Sequence, residues 1–211
     1  MSQKTLSASD AWQWIVSGWQ TFTKNPVMLI VLTLIYVVSL YVLNLIPGIG
    51  ALVAALLSPV LIGGLLLGVR EVEAGRELKP GQIFIALQDP PKLIQLALLG
   101  LVPLAVTLLQ QVVMASSVPQ GLAALIGLLL SLASACALLY GLPLVMLGNR
   151  QAVEAVPASL RACLGQPVAV GVFLGLAVLL LFVALIPLGL GVLVYLPVMV
   201  GAMHASYRQV M

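Results

Sequence analysis

Residues 167–186 read PVAVGVFLGLAVLLLFVALI, a stretch with no charged or amide side chain. A helix rises about 1.5 Å per residue and a bilayer's hydrocarbon core is roughly 30 Å thick, so about 20 apolar residues suffice to cross it. The stretch therefore reads as one membrane span, at about 168–186. Outward from it, five more such runs lie at about 27–46, 51–69, 93–115, 121–148 and 188–206, and none of the six holds Asp, Glu, Lys or Arg. A charge at the centre of a spanning helix costs roughly 2.5–3.5 kcal/mol even on insertion scales, so their absence fits lipid or packed apolar surroundings. The runs are continuous and lack the alternation of a barrel strand, which leaves helices as the spanning structure.

Composition agrees. Of the 211 residues, 62% are hydrophobic and 7% charged, with a mean hydropathy of +1.20. A soluble domain carries about 25% charged residues. The predicted class is an all-α integral membrane protein with six transmembrane helices in a single membrane domain, 1–211.

Where the charges fall decides the orientation. The nine Lys and Arg residues occupy four places: Lys4 and Lys24 before the first span; Arg70, Arg76, Lys79 and Lys92 between the second and third; Arg150 and Arg161 between the fourth and fifth; and Arg208 at the end. The six acids share those segments, while the connections around Pro47-Gly48, Ser116–Pro119 and Pro187–Gly189 carry no charge. The positive-inside rule then places both termini in the cytoplasm. Although the net charge is +3 and the pI about 9.1, this confinement to membrane borders argues against nucleic acid as a partner. A cleavable signal peptide joins a short basic start to an apolar core within about 15–30 residues. Here some 25 mostly polar or amphipathic residues come first, and none is expected.

The chain also repeats itself. AWQWIVSGWQTFTKNPV before the first span matches AVEAVPASLRACLGQPV before the fifth. Counting back from Pro26, the apolar residues are Phe22, Trp19, Ile15 and Trp12; counting back from Pro167 they are Cys163, Leu160, Val156 and Val153, at the same offsets. Steps of three and four place each set on one helix face. Ser9 or Asp10 is placed to cap the first of these helices, and Pro157 is placed to kink the later one or delay its start. LNLIPGIGALV corresponds to VALIPLGLGVLV, and SPVLIGGLLLGVREV to LPVMVGAMHASYRQV. A diverged middle copy places Phe84 and Leu87 before Asp89-Pro90-Pro91 and ends at Arg150. Three parallel repeats follow, about 9–72, 80–150 and 151–211, each an amphipathic interfacial helix, a proline break and a helical hairpin. Proline at the first turn of a span loses no helical bond and forces the preceding residue out of helix. The expected membrane-border markers are Trp12, Trp19, Pro26, Arg70, Pro91, Arg150, Pro167 and Arg208. All three tryptophans, Trp14 included, are expected at headgroup level as anchors, or in a lipid-sensing helix.

Few residues suggest chemistry. His204 lies four residues before Arg208 and beside Tyr207, on one helix face near the border. In a membrane helix a histidine can relay protons or bind a ligand. With no carboxylate in any span to partner it, His204 reads chiefly as a border residue. Gln95, Thr107, Gln110 and Gln111 form the most polar set in one span, suited to a pore lining or to interhelical hydrogen bonds; Asn44 is read in the same way. Small residues four apart, Gly64 with Gly68, Gly127 with Ser131, Gly171 with Gly175 and Gly201 with Ala205, permit close helix packing. Cys136 and Cys163 lie in different predicted environments and read as apolar fillers. Glu71, Glu73 and Glu77 fall in a short charged loop that reads as solvated. No catalytic set, cofactor motif or metal cluster is apparent, so neither enzyme activity nor a cofactor is expected.

The W-x6-W-x2-F-x2-NP pattern (Trp12, Trp19, Phe22, Asn25, Pro26) together with the C-terminal SYRQV resembles an uncharacterised family of proteobacterial multi-spanning inner-membrane proteins. More distantly the chain is similar to YciC-like proteins and to the membrane domain fused to some glycerophosphodiester phosphodiesterases. The resemblance implies a bacterial inner-membrane location and a six-helix fold, and brings no catalytic residues. The expected function is a non-enzymatic multi-pass protein that organises or contacts lipids or a membrane partner; the alternative is a small transporter or channel for an uncharged or small solute. Expected partners are the lipid bilayer and a membrane protein or second copy.

Overall fold

The computed structural model describes residues 6–211, which leaves Lys4 outside. Among the described residues every regular element is helical: α1 Ala8–Lys24, α2 Pro26–Asn44, α3 Gly50–Glu73, a 3₁₀ helix Pro80–Gln88, α4 Pro90–Ala115, α5 Gln120–Met146, α6 Ala152–Gly165, α7 Pro167–Leu185 and α8 Val192–Val210. Five helices, α2, α3, α4, α5 and α7, are long and apolar enough to cross a membrane. The sixth expected span forms α8, of similar length, whose polar last turns from His204 to Gln209 dilute its apolar content.

Helix starts follow the proline breaks. Pro26, Pro90 and Pro167 open α2, α4 and α7, each at a position whose N–H would be unbonded anyway. Asn25 accepts from the Met28 N–H at 3.4 Å and Asp89 from the Lys92 N–H at 3.3 Å, capping α2 and α4. The cap of α1 is Ser7 rather than Ser9 or Asp10. Asp10 instead sits one turn inside, where its carboxylate accepts from the Ser7 N–H at 2.7 Å. Pro157 neither delays nor ends α6, which starts at Ala152 and runs through it. The border element of the middle segment is a 3₁₀ helix instead of an α-helix.

Tight uncharged turns close two hairpins. Gly48 and Gly189 adopt positive φ, 83° and 79°, where a side chain would strain the backbone. Two residues beyond each, Gly50 and Gly191 press on the preceding helix: a Cβ would lie 2.0 Å from Leu43 O and 2.5 Å from Ala184 O.

The border elements are seated on neighbouring helices by their small residues. α1 packs chiefly on α8, the 3₁₀ helix on α3, and α6 on α5. At the α1–α8 crossing a Cβ on Gly18 would fall 2.2 Å from Val198 O, and one on Gly201 2.9 Å from Gly18 Cα. Likewise a Cβ on Gly64 would meet Ile83 O at 2.1 Å. The buried face of α1 is Ala11, Trp14, Ile15, Gly18, Thr21 and Phe22, and that of α6 is Ala152, Ala155, Ser159 and Cys163. Of the residues that the spacing places on one face of each helix, Ile15, Phe22 and Cys163 are buried, while Trp12, Trp19 and Val153 are turned outward. The reason is physical: against lipid a large apolar side chain has nothing to hide from, while small residues let backbones touch. Not every small pair serves this purpose, since nothing lies within 4 Å of a Cβ on Gly171 or Gly175.

Gly18→Ala forces the α1 and α8 backbones apart and is expected to cost about 1–3 kcal/mol. Gly175→Ala, facing open space, should leave stability unchanged. Thermal unfolding of the two variants in the same detergent measures the difference.

Candidate functional site

The most concentrated polar chemistry joins α1, α3 and α8. Helix α3 continues past the span predicted to end near 69, so Glu73 is its last residue rather than part of a solvated loop. Its carboxylate is largely enclosed, with 15% of the side chain exposed. Thr21 Oγ1 donates to Glu73 Oε1 at 3.2 Å. On the other oxygen, Oε2, His204 Nδ1 closes to 3.1 Å and Arg208 Nη1 to 3.4 Å. The His204 contact has ion-pair distance without the alignment of a hydrogen bond, and the ring is 5% exposed. His204 therefore does have a carboxylate partner, contrary to the sequence reading. Arg208, 59% exposed at its side chain, keeps most of its hydration while sharing the acid. A second polar chain runs beside this cluster. Trp14 Nε1 donates to Gln209 Oε1 at 2.6 Å, and Gln209 Nε2 donates to Asp10 Oδ1 at 3.2 Å. Trp14 is only 2% exposed and sets its ring edge-on to Phe173 at 5.7 Å, so it is a core residue and not an interfacial anchor. Both connections pin the last helix to the first.

The polar set expected in one span divides: Thr107 and Gln111 line one hollow, while Gln95 and Gln110 reach two different helices. Gln95 Oε1 accepts from the Ala152 N–H at 2.8 Å and so ties α4 to the start of α6. Thr107 donates to Pro103 O on its own helix at 2.9 Å. Gln110 Nε2 bonds Gly127 O at 2.8 Å and Ser131 Oγ at 2.9 Å, a link between α4 and α5. Asn44 bonds back to Leu40 O on its own helix. Tyr207 stands beside Gly148, where a Cβ would meet its hydroxyl at 3.4 Å. The two cysteines, read as lying in different environments, in fact meet: Cys163 Sγ lies 3.5 Å from Cys136 O, and both are free thiols. Ser159, missed in the sequence, donates to Cys136 O and accepts from the Tyr140 N–H at 3.0 Å. The signal for it was the small-residue face of α6.

Two apolar hollows lie between the helices. One, of about 510 Å³, lies between α1 and the α7–α8 hairpin, with Trp12, Trp19, Leu180, Val183, Tyr195 and Met199 among its walls. Trp12 and Trp19 are 56% and 51% exposed there. The other, of about 520 Å³, lies between α3, α4 and α5, where Ser58, Thr107 and Gln111 are its polar lining.

No protein-family model, curated protein or solved structure matches the chain.

Removing one member of the Glu73 cluster leaves its partners short of charge in a half-buried place. Glu73→Ala is expected to lower stability by about 1–3 kcal/mol, below the full cost of breaking a buried pair because Arg208 stays hydrated. A double-mutant cycle with His204→Ala should give a coupling of about 0.5–3 kcal/mol, read by unfolding in detergent.

Proposed function

We propose that this chain is a non-enzymatic, multi-pass protein of a bacterial inner membrane that contacts and organises lipid. In this reading six helices cross, both termini are cytoplasmic, and three parallel repeats surround a pseudo-threefold axis. What supports the repeats is the seating of the border elements. Each rests on the exit helix of the preceding unit in cyclic order: the 3₁₀ helix on α3, α6 on α5, and α1 on α8. The matched glycines Gly50 and Gly191, each pressed on the preceding helix, support the correspondence of the first and last hairpins.

The lipid role rests on one observation, the lateral hollow between α1 and the α7–α8 hairpin. Its walls are apolar and aromatic, and Trp12 and Trp19 present indole rings at its edge. An acyl chain fits such walls, and an indole there gains both an apolar body and a polar N–H near the headgroups. The hollow between α3, α4 and α5 favours a second reading, passage of a small uncharged solute, because Ser58, Thr107 and Gln111 give it hydroxyl and amide groups without charge.

Fluorescence tests the lipid reading directly. Variants that keep one tryptophan each, with the other two changed to phenylalanine, are reconstituted in bilayers with brominated acyl chains. Trp12 and Trp19 should be strongly quenched and Trp14 weakly. Quenching of Trp12 and Trp19 by aqueous iodide, with none by the brominated lipid, would overturn the proposal.

A further inference from the structure

A polar cleft of about 330 Å³ lies where α4 begins and the chain passes from α5 to α6. Ligand pockets commonly start near 300 Å³, so its size is adequate for a small headgroup. Lys92, Gln95, Asn149, Arg150 and Gln151 line it, with Asp89 as the one acid. Asp89 is already engaged, capping α4 and standing 3.4 Å from Lys92 Nζ. The donors are less committed. Gln95 has its oxygen fixed by the Ala152 N–H, which leaves Nε2, the donor end of the amide, without a partner in the cleft. Arg150 has no acidic partner among the described residues, unlike Arg76, which pairs with Glu71, and Arg208, which pairs with Glu73.

The backbone builds this arrangement. Helix α5 ends in a tight reversal in which the Gly148 N–H bonds Pro143 O at 3.2 Å and the Arg150 N–H bonds Leu144 O at 3.1 Å. Asn149 takes the left-handed conformation, φ 51°, that such a helix end demands and that Asn tolerates. The reversal brings Arg150 to the same cleft as Lys92 and the Gln95 amide. A guanidinium, an ammonium and an amide N–H around one hollow make a donor set for a phosphate oxygen cluster.

We propose that this cleft binds a phosphate-bearing anion, and that its occupant is the headgroup of an anionic phospholipid. Leu98 favours the lipid over free phosphate: it is an exposed apolar residue on α4, about one turn beyond Gln95 and two beyond Pro91 on the same side of the helix, where an acyl chain would continue from a headgroup held in the cleft. The inference rests on the reading that lipid is what the protein contacts, and adds the class of lipid selected.

The test uses the full chain in phosphatidylcholine vesicles with spin-labelled phosphatidylglycerol or spin-labelled phosphatidylcholine. The fraction of label immobilised by the protein reports association. The wild type should prefer phosphatidylglycerol by roughly three- to tenfold. Lys92→Gln with Arg150→Gln should bring the ratio near one, while the charge-keeping exchange Lys92→Arg with Arg150→Lys should retain most of it. Lys79→Gln, removing an exposed cation away from the cleft, should change little. Equal binding of both lipids by the wild type would overturn the proposal, as would an unchanged ratio in the double Gln variant or an equal loss in Lys79→Gln. Displacement of the labelled lipid by millimolar inorganic phosphate at constant ionic strength would assign the cleft to free phosphate and sink the lipid assignment. The tryptophan hollow has a separate readout, so either site can fail while the other stands.

Discussion

Lipid tails are as apolar as leucine, so two helices in a bilayer gain little by hiding leucines from one another. What remains is dispersion across close contacts, and close contacts need small residues or backbone on both sides. The junctions of this bundle obey that constraint. Gly18 meets the backbone of α8, Gly64 meets Ile83, and a Cβ on Gly100 would fall 2.7 Å from Ala55 O. Ser159 reaches Cys136 O across the α5–α6 contact. Leucine, valine and the outer tryptophans are free to face outward because facing outward costs them nothing in hydrocarbon.

Polar groups follow from the same solvent. A donor or acceptor facing hydrocarbon has no water to fall back on, and each must find protein. Thr33 and Thr107 return to carbonyls one turn back, and Gln110 spends its amide on α5. Charge concentrates where water is near. There Glu73 gathers Thr21, His204 and Arg208, and Gln209 bridges Trp14 to Asp10, so that the chain's first and last helices close on each other. The lipid reading grows from the outward faces: aromatic walls around one hollow, and the cations Lys92 and Arg150 with the Gln95 amide around another.

The helices were legible because hydrocarbon thickness fixes the length of an apolar run and proline fixes where it begins. The run at 167–186 became α7, Pro167–Leu185, within a residue or two. The faces were legible only in part: spacing groups Trp12, Ile15, Trp19 and Phe22 on one side of the helix but does not say that Ile15 and Phe22 meet neighbouring helices while the two tryptophans face outward. In lipid the decisive residues were Ala11 and Gly18, which carry almost no hydropathy signal. Glu73 was misread for a related reason. Charge density marked 70–79 as loop, whereas the helix extends to Glu73 because its acid is met by groups from α1 and α8. No local pattern announces a partner so distant in sequence. Gln95 and Gln110 looked alike in composition and proved to be two separate links, one to α6 and one to α5.

Everything functional proposed for this protein presumes that its charged connections share one side of the membrane. Cysteine accessibility measures that directly. With Cys136 and Cys163 replaced by alanine, single cysteines are placed at Ile49, Ser117 and Leu188 on the uncharged turns, and at Glu77, Gln151 and Met211 on the charged side. An impermeant maleimide should label the first three only from outside intact cells and the second three only in inverted vesicles. Labelling of positions 188 and 211 from the same side would mean that α8 does not cross, and the six-span arrangement would fall with it.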